Sequence, residues 1–323
     1  MANYLKAGVI GVGSMGENHA RIYTQVLPEV KLVGVADLDK EKALAVAQSY
    51  ECHAHQNYHE LLEEDLDLVS IAVPTTLHYE VARQAIEKKL NVLIEKPVTQ
   101  NLEEADSLIE LSRQYNVKVM VGHIERFNPA VDKLKKLITD GMLGEIISLS
   151  AKRVGPQNTR INDVGIILDL GAHDIDVMCY LYGAPVKSVY AVAGSIFHNH
   201  EDYAIMTLRF NNGSSGVIDT NWLTPYKLRK LTVVGSKVIG EVDYQEASLK
   251  LYDREWIREA KIVKEEPLKR ELEHFINCVR LNKEPSVGLK EGKHTLEVAL
   301  TAIQSAKQGR VCEIVNEEQD ERK

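Results

Sequence analysis

The sequence predicts an α/β domain on a parallel sheet, followed by an α+β domain on an open, mostly antiparallel sheet. Three observations predict this architecture. Short apolar segments alternate with helical segments over the first 122 residues, as in a parallel sheet covered by helices on both faces. The first apolar segment runs directly into a glycine-rich turn that opens a helix. From Ile146 onward, strand-like segments follow one another with few helices between them, which indicates antiparallel pairing.

The elements of the first part follow from apolar runs and apolar spacing. Buried strands are expected at Lys6–Ile10, Lys31–Ala36, Asp67–Pro74, Asn91–Glu95 and Val117–Val121. Helical spacing predicts helices at Met15–Gln25, Lys40–Ser49 and Leu77–Lys88. A further helix begins at Asn101, which has the spacing of a capping box with Glu104.

In the second part, a helix at Pro129–Thr139 ends before Gly141 and Gly144, and strands then predominate. These are expected at Ile146–Val154, Val186–Ala193, Tyr203–Phe210, Ser215–Trp222, Arg229–Val234, Gly240–Tyr244, Leu249–Tyr252 and Trp256–Val263. The Asn-Asn-Gly213 turn predicts a hairpin between two of them. Helices are expected at Leu168–Leu181, Leu268–Leu281 and Glu291–Lys307. We therefore divide the chain into residues 1–123, residues 124–315 and a charged tail at 316–323.

Composition restricts the class of partner. The 323 residues carry a formal net charge of −8, so nothing in the bulk charge favours nucleic acid or an anionic membrane surface. The four cysteines are scattered, which is typical of reduced, inert thiols. The sequence shows no signal-peptide pattern and no apolar run long enough to span a bilayer, so we expect a cytoplasmic protein.

The strongest motif is Gly11-Val12-Gly13-Ser14-Met15-Gly16, followed by an acid, Asp37, 21 residues after the last glycine. The glycines allow a tight turn, close approach of a pyrophosphate and close packing of helix on strand. Asp37 is expected to accept hydrogen bonds from a ribose and to repel a 2′-phosphate, which favours NAD. Lys40 and Lys42 keep NADP open as an alternative.

Glu95-Lys96-Pro97 lies at the carboxyl end of a predicted parallel strand, the edge at which open α/β sheets bind ligands, so Glu95 and Lys96 are candidates for cofactor binding. An ammonium at this position can stabilise an oxygen whose charge changes during hydride transfer. A surface lysine beside a proline turn remains an equal alternative. Pro74, Thr75 and His78 follow another such strand and are candidates for cofactor binding, with a packed histidine at a helix start as the alternative for His78.

Asp169-x-Gly171-x-His173-x-x-Asp176 lies on a predicted helix, where Asp169 and His173 share a face. Histidine accepts protons near neutral pH, and a carboxylate beside it can orient the imidazole or a substrate hydroxyl. Glycine inside a helix costs about 1 kcal/mol relative to alanine, which suggests close approach of another group. The alternatives are that Asp169 and His173 form a pair of surface residues with an incidental glycine between them, or that they belong to a metal site for which no third ligand is evident.

Three further groups of side chains are candidates for binding. Arg126 and Asn128 can hold polar ligand groups, Asn128 towards the cofactor, or can tie the domains together. Arg153 and Arg160, near Lys152, can clamp a diphosphate or form a solvated strand end. His53-x-His55 and His59 have metal-like spacing, but no Cys or carboxylate completes a convincing set, so we predict no metal.

Five motifs occur along the chain in this order: the glycine loop, Asp37, the Pro74–His78 loop, Glu95-Lys96-Pro97 and Asp169–Asp176. In that order they resemble the glucose–fructose oxidoreductase/inositol dehydrogenase (Gfo/Idh/MocA) family over nearly the whole chain. The resemblance implies a Rossmann domain, NAD as cofactor, and Lys96, Asp169 and His173 as the catalytic set. It also implies that the open sheet mediates a homodimer or homotetramer.

Within that family, three passages of the chain look like the corresponding passages of UDP-N-acetylglucosamine 3-dehydrogenases. They are Val121–Pro129, Ala151–Pro156 and Asp163–Asp176. This likeness implies oxidation of a nucleotide sugar, with Lys96, Arg153, Arg160, Asp169 and His173 as substrate-binding residues and an aminotransferase downstream. Another nucleotide sugar or a free polyol such as myo-inositol remains an alternative substrate, because loop changes alter specificity on one fold. An NAD-binding sensor without turnover is a third reading.

Overall fold

The computed structural model describes residues 4–156 and 164–314 and divides into two compact units. Unit 1 contains the chain up to Ile124 together with Glu266–Lys293. Unit 2 contains Glu125–Glu265 and the chain from His294 onward. The division after Ile124 lies one residue from the predicted domain end at 123, but Glu266–Lys293, which we had assigned to the second domain, belongs to unit 1.

Unit 1 contains alternating strands and helices. Its strands are β1 (Leu5–Ile10), β2 (Val30–Ala36), β3 (His53–His55), β4 (Leu68–Ile71), β5 (Asn91–Glu95) and β6 (Val119–Gly122). Its helices are α1 (Ser14–Gln25), α2 (Lys40–Tyr50), α3 (Tyr58–Leu61), α4 (Thr75–Glu87), α5 (Leu102–Tyr115) and, from later in the chain, α8 (Pro267–Leu281).

The strands of unit 1 form one parallel sheet in the order β3-β2-β1-β4-β5-β6. The order reverses between β1 and β4, and ligands of open α/β sheets bind at such a switch point, beyond the carboxyl ends of the strands. The glycine loop, Asp37 and Lys96 follow directly after strand ends, and Pro74 lies three residues after the end of β4. The sheet therefore collects most of the sequence-predicted cofactor residues at one edge.

Unit 2 has a nine-stranded sheet and several helices. The strands are β7 (Ile146–Pro156), β8 (Val186–Gly194), β9 (Tyr203–Phe210), β10 (Ser215–Asn221), β11 (Leu223–Gly235), β12 (Ile239–Asp243), β13 (Ser248–Tyr252), β14 (Ile257–Glu259) and β15 (Cys312–Glu313). The helices are a 3₁₀ turn at Ile124–Phe127, α6 (Pro129–Thr139), a π turn at Ile167–Gly171 and α7 (Ala172–Tyr182). The helix α9 (Leu289–Gln308) ends in this unit.

This second sheet has the order β14-β13-β12-β11-β7-β10-β9-β8-β15, with one parallel pair, β7 and β10, among antiparallel ones. The predicted architecture of a parallel sheet followed by a mostly antiparallel one is confirmed. Alternate residues of β7, such as Leu149 and Ala151, face a core that α6, α7 and α9 share. The Asn-Asn-Gly213 hairpin joins β9 to β10 as predicted, with Gly213 at φ +86°.

Two local predictions were wrong. Strand β3 was not expected from the sequence, because His-Ala-His is too short and too polar to show strand alternation. An α-helix was expected from Leu168, whereas a π turn spans Ile167–Gly171 and the α-helix begins at Ala172. Single-turn π segments occur frequently at functional sites. The charged tail at 316–323 lies outside the described residues.

No helix in the described part of the chain is a candidate for crossing a membrane. Across residues 4–156 and 164–314, every helix is either too short or too polar to cross a bilayer.

The assignment of α8 to unit 1 can be tested by stability. Phe275 on α8 is fully buried, so we expect Phe275→Ala to lower the free energy of unfolding by about 3–5 kcal/mol. Urea denaturation measures this loss. Leu281→Ala, on an exposed residue of the same helix, is the matched control and should change stability by less than about 0.5 kcal/mol. Equal effects of the two substitutions would contradict the packing.

Candidate active site

The glycine loop between β1 and α1 permits backbone contacts that no side chain would allow. Gly11 has φ +84°, and a Cβ there would lie 2.6 Å from the carbonyl oxygen of Ala72. A Cβ on Gly16 would lie 1.8 Å from the carbonyl oxygen of Gly11. Both positions therefore require glycine, and together they bring the first turn of α1 against the end of β1.

Gly13 has open space where the other two glycines have neighbours. A Cβ at this position would meet nothing within 4 Å in the structure, so glycine is not needed there for packing. Gly13 lies at the N-cap of α1, which leaves the first N–H groups of the helix, beginning at Ser14 and Met15, without intrahelical acceptors. Free N–H groups beside open space suit a pyrophosphate. The loop thus fits a dinucleotide.

Asp37 connects the end of β2 to the glycine loop. Its Oδ2 accepts a hydrogen bond from the Val12 N–H at 2.8 Å, and its Oδ1 accepts one from the Asp39 N–H at 2.9 Å. Each carboxylate oxygen can accept a further bond, so both remain able to accept ribose hydroxyls. The carboxylate has a structural role that the motif alone did not show, because it sets the position of the loop backbone.

The Pro74–His78 segment begins α4. Pro74 is the N-cap residue and Thr75 opens the helix. His78 is buried, with Nδ1 2.7 Å from the carbonyl oxygen of Pro97 and Nε2 2.9 Å from that of Val73. Burial lowers the pKa of His78, and the hydrogen bonds to these carbonyls oppose that effect. His78 therefore ties together two strand-end loops, which agrees with the packed-histidine alternative and not with the predicted contact to a cofactor.

Glu95 ends β5 and points into unit 1. Its Oε1 lies 3.2 Å from Nε2 of His19 on α1, and a Cβ on Gly122 would lie 2.9 Å from the same oxygen. Both residues of this pair are buried. The carboxylate of Glu95, predicted as a cofactor ligand, is directed at His19 and anchors the end of β5, directly before Lys96. His19 was missed by sequence reasoning, because its partner Glu95 lies 76 residues further along the chain.

Asp169 and His173 lie on either side of the junction between the π turn and α7. Asp169 is buried and its N–H donates to the Gly165 carbonyl at 3.0 Å, while His173 is half-buried. A Cβ on Gly171 would lie 2.9 Å from Cε of Met206 on β9, but that atom is the end of a flexible side chain that can shift at little cost, so this contact does not require glycine. Lys96 belongs to unit 1, and the other two members of the predicted catalytic set belong to unit 2.

The structure corrects the role that was predicted for Arg153. Its side chain is 1% exposed, its Nε donates to Asp174 at 2.8 Å, and its Nη1 donates to Glu125 at 2.7 Å. The guanidinium also lies over the ring of Tyr244 at 4.7 Å. Because carboxylates and a ring enclose it, Arg153 cannot clamp a diphosphate. Arg160, the other arginine predicted for that role, lies outside the described residues.

Asn128 is a second correction. Its Oδ1 accepts from the Ala130 N–H at 3.0 Å and so caps α6, while its Nδ2 donates to the Tyr244 carbonyl at 3.2 Å. The side chain is buried, which leaves no surface for the predicted cofactor contact. Arg126, nearby, donates twice to Asp176, at 2.6 and 2.7 Å. Both residues therefore stabilise unit 2.

Arg229 on β11 is a residue that sequence reasoning missed. It pairs in register with Arg153 on β7 and is half-buried. Burial and the positive charge of Arg153 lower the pKa of Arg229, while the charges of Glu125, Asp174 and Asp169 act in the opposite direction. A cation is thus held within electrostatic reach of Asp169. No local pattern could have identified it, because it lies in a run of basic strand residues.

The contrast between Gly13 and Gly16 yields a prediction. Gly16→Ala should lower stability by roughly 1–3 kcal/mol, because the new methyl overlaps the Gly11 carbonyl. Gly13→Ala should keep the thermal midpoint of the apoprotein but weaken NAD binding about tenfold or more, since charge-assisted hydrogen bonds contribute roughly 1.5–3 kcal/mol. Thermal melts and a fluorescence titration with NAD measure both. Unchanged NAD affinity in Gly13→Ala would contradict the site.

Known proteins resemble this chain over nearly its full length. UDP-N-acetylglucosamine 3-dehydrogenase of Acidithiobacillus ferrooxidans is 30% identical over 92% of this chain and 96% of its own, and its crystal structure matches with a TM-score of 0.88 over 94% and 98%. The NAD-dependent scyllo-inositol 2-dehydrogenase of Bacillus subtilis is 29% identical over 96% of both chains. A levoglucosan dehydrogenase structure in complex with NADH, 20% identical, shares the fold, with a TM-score of 0.88 over 97% and 100%.

Family models agree with these relatives. Residues 5–123 match the Gfo/Idh/MocA oxidoreductase family with an NAD-binding Rossmann fold, and residues 131–239 match the C-terminal domain of the same family. The glycine loop and Asp37 lie within the first match, and Asp169 and His173 lie within the second. The chain therefore belongs to the Gfo/Idh/MocA family and is an NAD-binding oxidoreductase.

Proposed function

We propose that this protein oxidises the 3-hydroxyl of UDP-N-acetylglucosamine to a ketone with NAD as the acceptor. The observation that carries the proposal is the 30% identity to the A. ferrooxidans UDP-N-acetylglucosamine 3-dehydrogenase over 92% of this chain, together with the shared fold at a TM-score of 0.88. Lys96, Asp169 and His173 supply the acid–base groups that such a reaction needs. The 3-keto product would feed an aminotransferase that makes an amino sugar.

His173 is proposed as the base that takes the proton of the sugar hydroxyl, with Asp169 as the carboxylate that orients it. His173 is half-buried and keeps some exposed surface for a ligand, and the carboxylate of Asp169 is buried away from bulk water. The π turn supports this assignment, because it carries Asp169, ends two residues before His173 and is held at its start by Glu201, whose Oε1 accepts from the Ile167 N–H at 3.3 Å.

Lys96 is proposed to stabilise the substrate oxygen as negative charge develops on it. The supporting observation is its position directly after β5, at the carboxyl edge of the parallel sheet. The buried pair of Glu95 with His19 on one side and the His78–Pro97 contact on the other hold its backbone. Bound NAD would accept the hydride; in this chain Gly13 and Asp37 would hold its pyrophosphate and ribose.

Arg229 replaces Arg153 as our candidate for the substrate's diphosphate. It is a half-buried cation whose charge is disfavoured by burial and by Arg153, and an anionic oxygen would offset both effects. The negative charge of Asp169 acts on the pKa of Arg229, which supports a position near the proposed site of the sugar. In a chain with a net charge of −8, such a local cation is needed for an anionic substrate.

A free polyol is a second candidate substrate. The scyllo-inositol 2-dehydrogenase of B. subtilis covers the chain as fully as the nucleotide-sugar enzyme and is nearly as similar, and the same base and lysine would oxidise either substrate. An NAD-binding protein without turnover is the remaining alternative.

We also propose that the protein forms a homodimer or homotetramer, because the sheet of unit 2 exposes apolar side chains such as Val192, Ile205 and Val217.

A substrate panel tests the proposal. Purified protein and NAD are incubated with UDP-N-acetylglucosamine, UDP-glucose, UDP-N-acetylglucosaminuronic acid or myo-inositol, and NADH formation is measured with a carbonyl trap present. A signal with UDP-N-acetylglucosamine alone is the expected result, and the position of the ketone is then read from the product. A signal with myo-inositol alone would establish the polyol alternative. Silence throughout, with NAD still bound, would favour the sensor.

The proposed catalytic roles predict a separation of turnover from cofactor binding. Lys96→Ala and His173→Ala should each lower kcat about a hundredfold or more, because each removes a group that acts on the reacting oxygen. The Kd for NAD should stay close to that of the unmodified protein. Steady-state kinetics and an NAD titration measure the two quantities. Near-normal turnover in both variants would rule out the role assignment.

Arg229 predicts an effect on substrate binding alone. Arg229→Ala should raise the KM for UDP-N-acetylglucosamine about tenfold or more, through loss of a charge-assisted contact to phosphate, and leave the KM for NAD unchanged. Lys227→Ala, which removes the same charge from an exposed position two residues away, is the matched control. An equal rise in both variants would indicate bulk electrostatics and contradict the assignment.

A further inference from the structure

Two histidines and a glutamate meet at the free edge of the parallel sheet. β3 is the edge strand, and His53 and His55, two residues apart, project from the same face of it. Glu64, in the turn after α3, faces both rings. We refer to His53, His55 and Glu64 as the β3 cluster. The spacing of the two histidines is visible in the sequence, whereas the position of the Glu64 carboxylate beside them depends on the fold.

The donor atoms of the β3 cluster have the spacing of a metal site. Oε1 of Glu64 lies 2.9 Å from Nδ1 of His53 and 3.4 Å from Nε2 of His55. One ligand atom from each residue lies within 4.8 Å of the other two. A tetrahedral zinc ion with bonds of about 2.0–2.1 Å needs ligand atoms roughly 3.3 Å apart. Small side-chain rotations suffice to reach that geometry, since His53 is largely exposed.

His55 provides a second, independent observation. Its Nε2 atom is buried and makes no hydrogen bond to the described residues, which is uncommon for a buried polar atom. Its other nitrogen, Nδ1, lies 3.6 Å from Oε2 of Glu60. A proton on Nδ1, facing Glu60, leaves the lone pair of Nε2 directed at the cluster. A carboxylate behind a histidine is the usual arrangement around metal-binding imidazoles.

We propose that the β3 cluster binds a divalent first-row transition metal ion of the zinc class. Two imidazole nitrogens and one carboxylate oxygen favour such an ion over Mg²⁺ or Ca²⁺, which prefer oxygen ligands throughout. Three protein ligands leave one coordination position for water. Glu60 acts behind His55 and does not touch the ion. This site is separate from the proposed catalytic residues and does not rest on the proposed function.

An ion bound at the β3 cluster would affect the structure around it. The His55 carbonyl accepts a hydrogen bond from the Asp37 N–H at 3.2 Å, and His55 pairs in register with Ala36. An ion on His55 would therefore tie the edge strand and the turn containing Glu64 to the segment that carries Asp37. Since the folded state alone assembles the ligands, metal binding should raise the thermal midpoint of the protein.

Competition with a chromophoric chelator tests the site. The full-length protein is stripped of metal and titrated with Zn²⁺, and we expect one ion per chain that excess Mg²⁺ does not displace. His53→Ala, His55→Ala and Glu64→Gln should each weaken that binding at least about tenfold, and Glu60→Gln should weaken it less. His59→Ala is the matched control, because His59 lies on the same short segment, stacks on Tyr58 and is not part of the cluster.

Several outcomes would overturn the proposal. These are the absence of stoichiometric Zn²⁺ binding by the unmodified protein, retention of binding by the three ligand variants, or an equal loss in His59→Ala. NAD binding by each variant verifies that it is folded, so a loss of Zn²⁺ affinity cannot be attributed to unfolding. Anomalous diffraction at the zinc edge from a Zn²⁺-soaked crystal should place the ion within the β3 cluster, and a peak elsewhere would refute the assignment.

Discussion

Unit 1 depends on how closely the first turn of α1 approaches the end of β1. Three stretches of backbone meet there: the glycine loop, the first turn of α1 and the end of β4, represented by the Ala72 carbonyl. A single methyl group on Gly11 or Gly16 would separate them, because the nearest oxygens lie 2.6 and 1.8 Å from the added carbon. Gly13, between these two glycines, has open space beside it instead. Asp37 then secures the loop from β2 through the Val12 N–H.

Unit 2 depends on buried charges. Taking charged groups out of water is costly, and removal of one partner of a buried pair typically costs about 3–5 kcal/mol. Arg153 has Asp174 and Glu125, and Arg126 has Asp176. Although burial alone would lower it, these carboxylates hold the pKa of Arg153 well above its ordinary value. Because Asp174 and Asp176 lie on α7, the ion pairs tie the helix that carries His173 to β7 and to the 3₁₀ turn.

Several residues with the chemistry of ligands serve to position others. His78, Glu95 and Asn128 looked like cofactor contacts in the sequence, and each is buried with its polar atoms directed at protein groups. The same chemistry that recognises a ribose also satisfies a backbone carbonyl or caps a helix. A polar residue in a motif can therefore be part of the framework around the site, and only its partners distinguish the two roles.

Local patterns in the sequence determined the class of each sheet, the glycine loop, the acid at Asp37 and the position of Asp169 and His173. These features are local because strand alternation, helical spacing and turn chemistry act over a few residues. Tertiary structure alone decided which charges meet. Arg153 and Asp174 are 21 residues apart, Arg153 and Glu125 are 28, and His19 and Glu95 are 76. It also decided that α8 joins unit 1 and that Glu64 faces His53 and His55. Such pairings follow from the packing of the elements, and local spacing along the chain does not specify them.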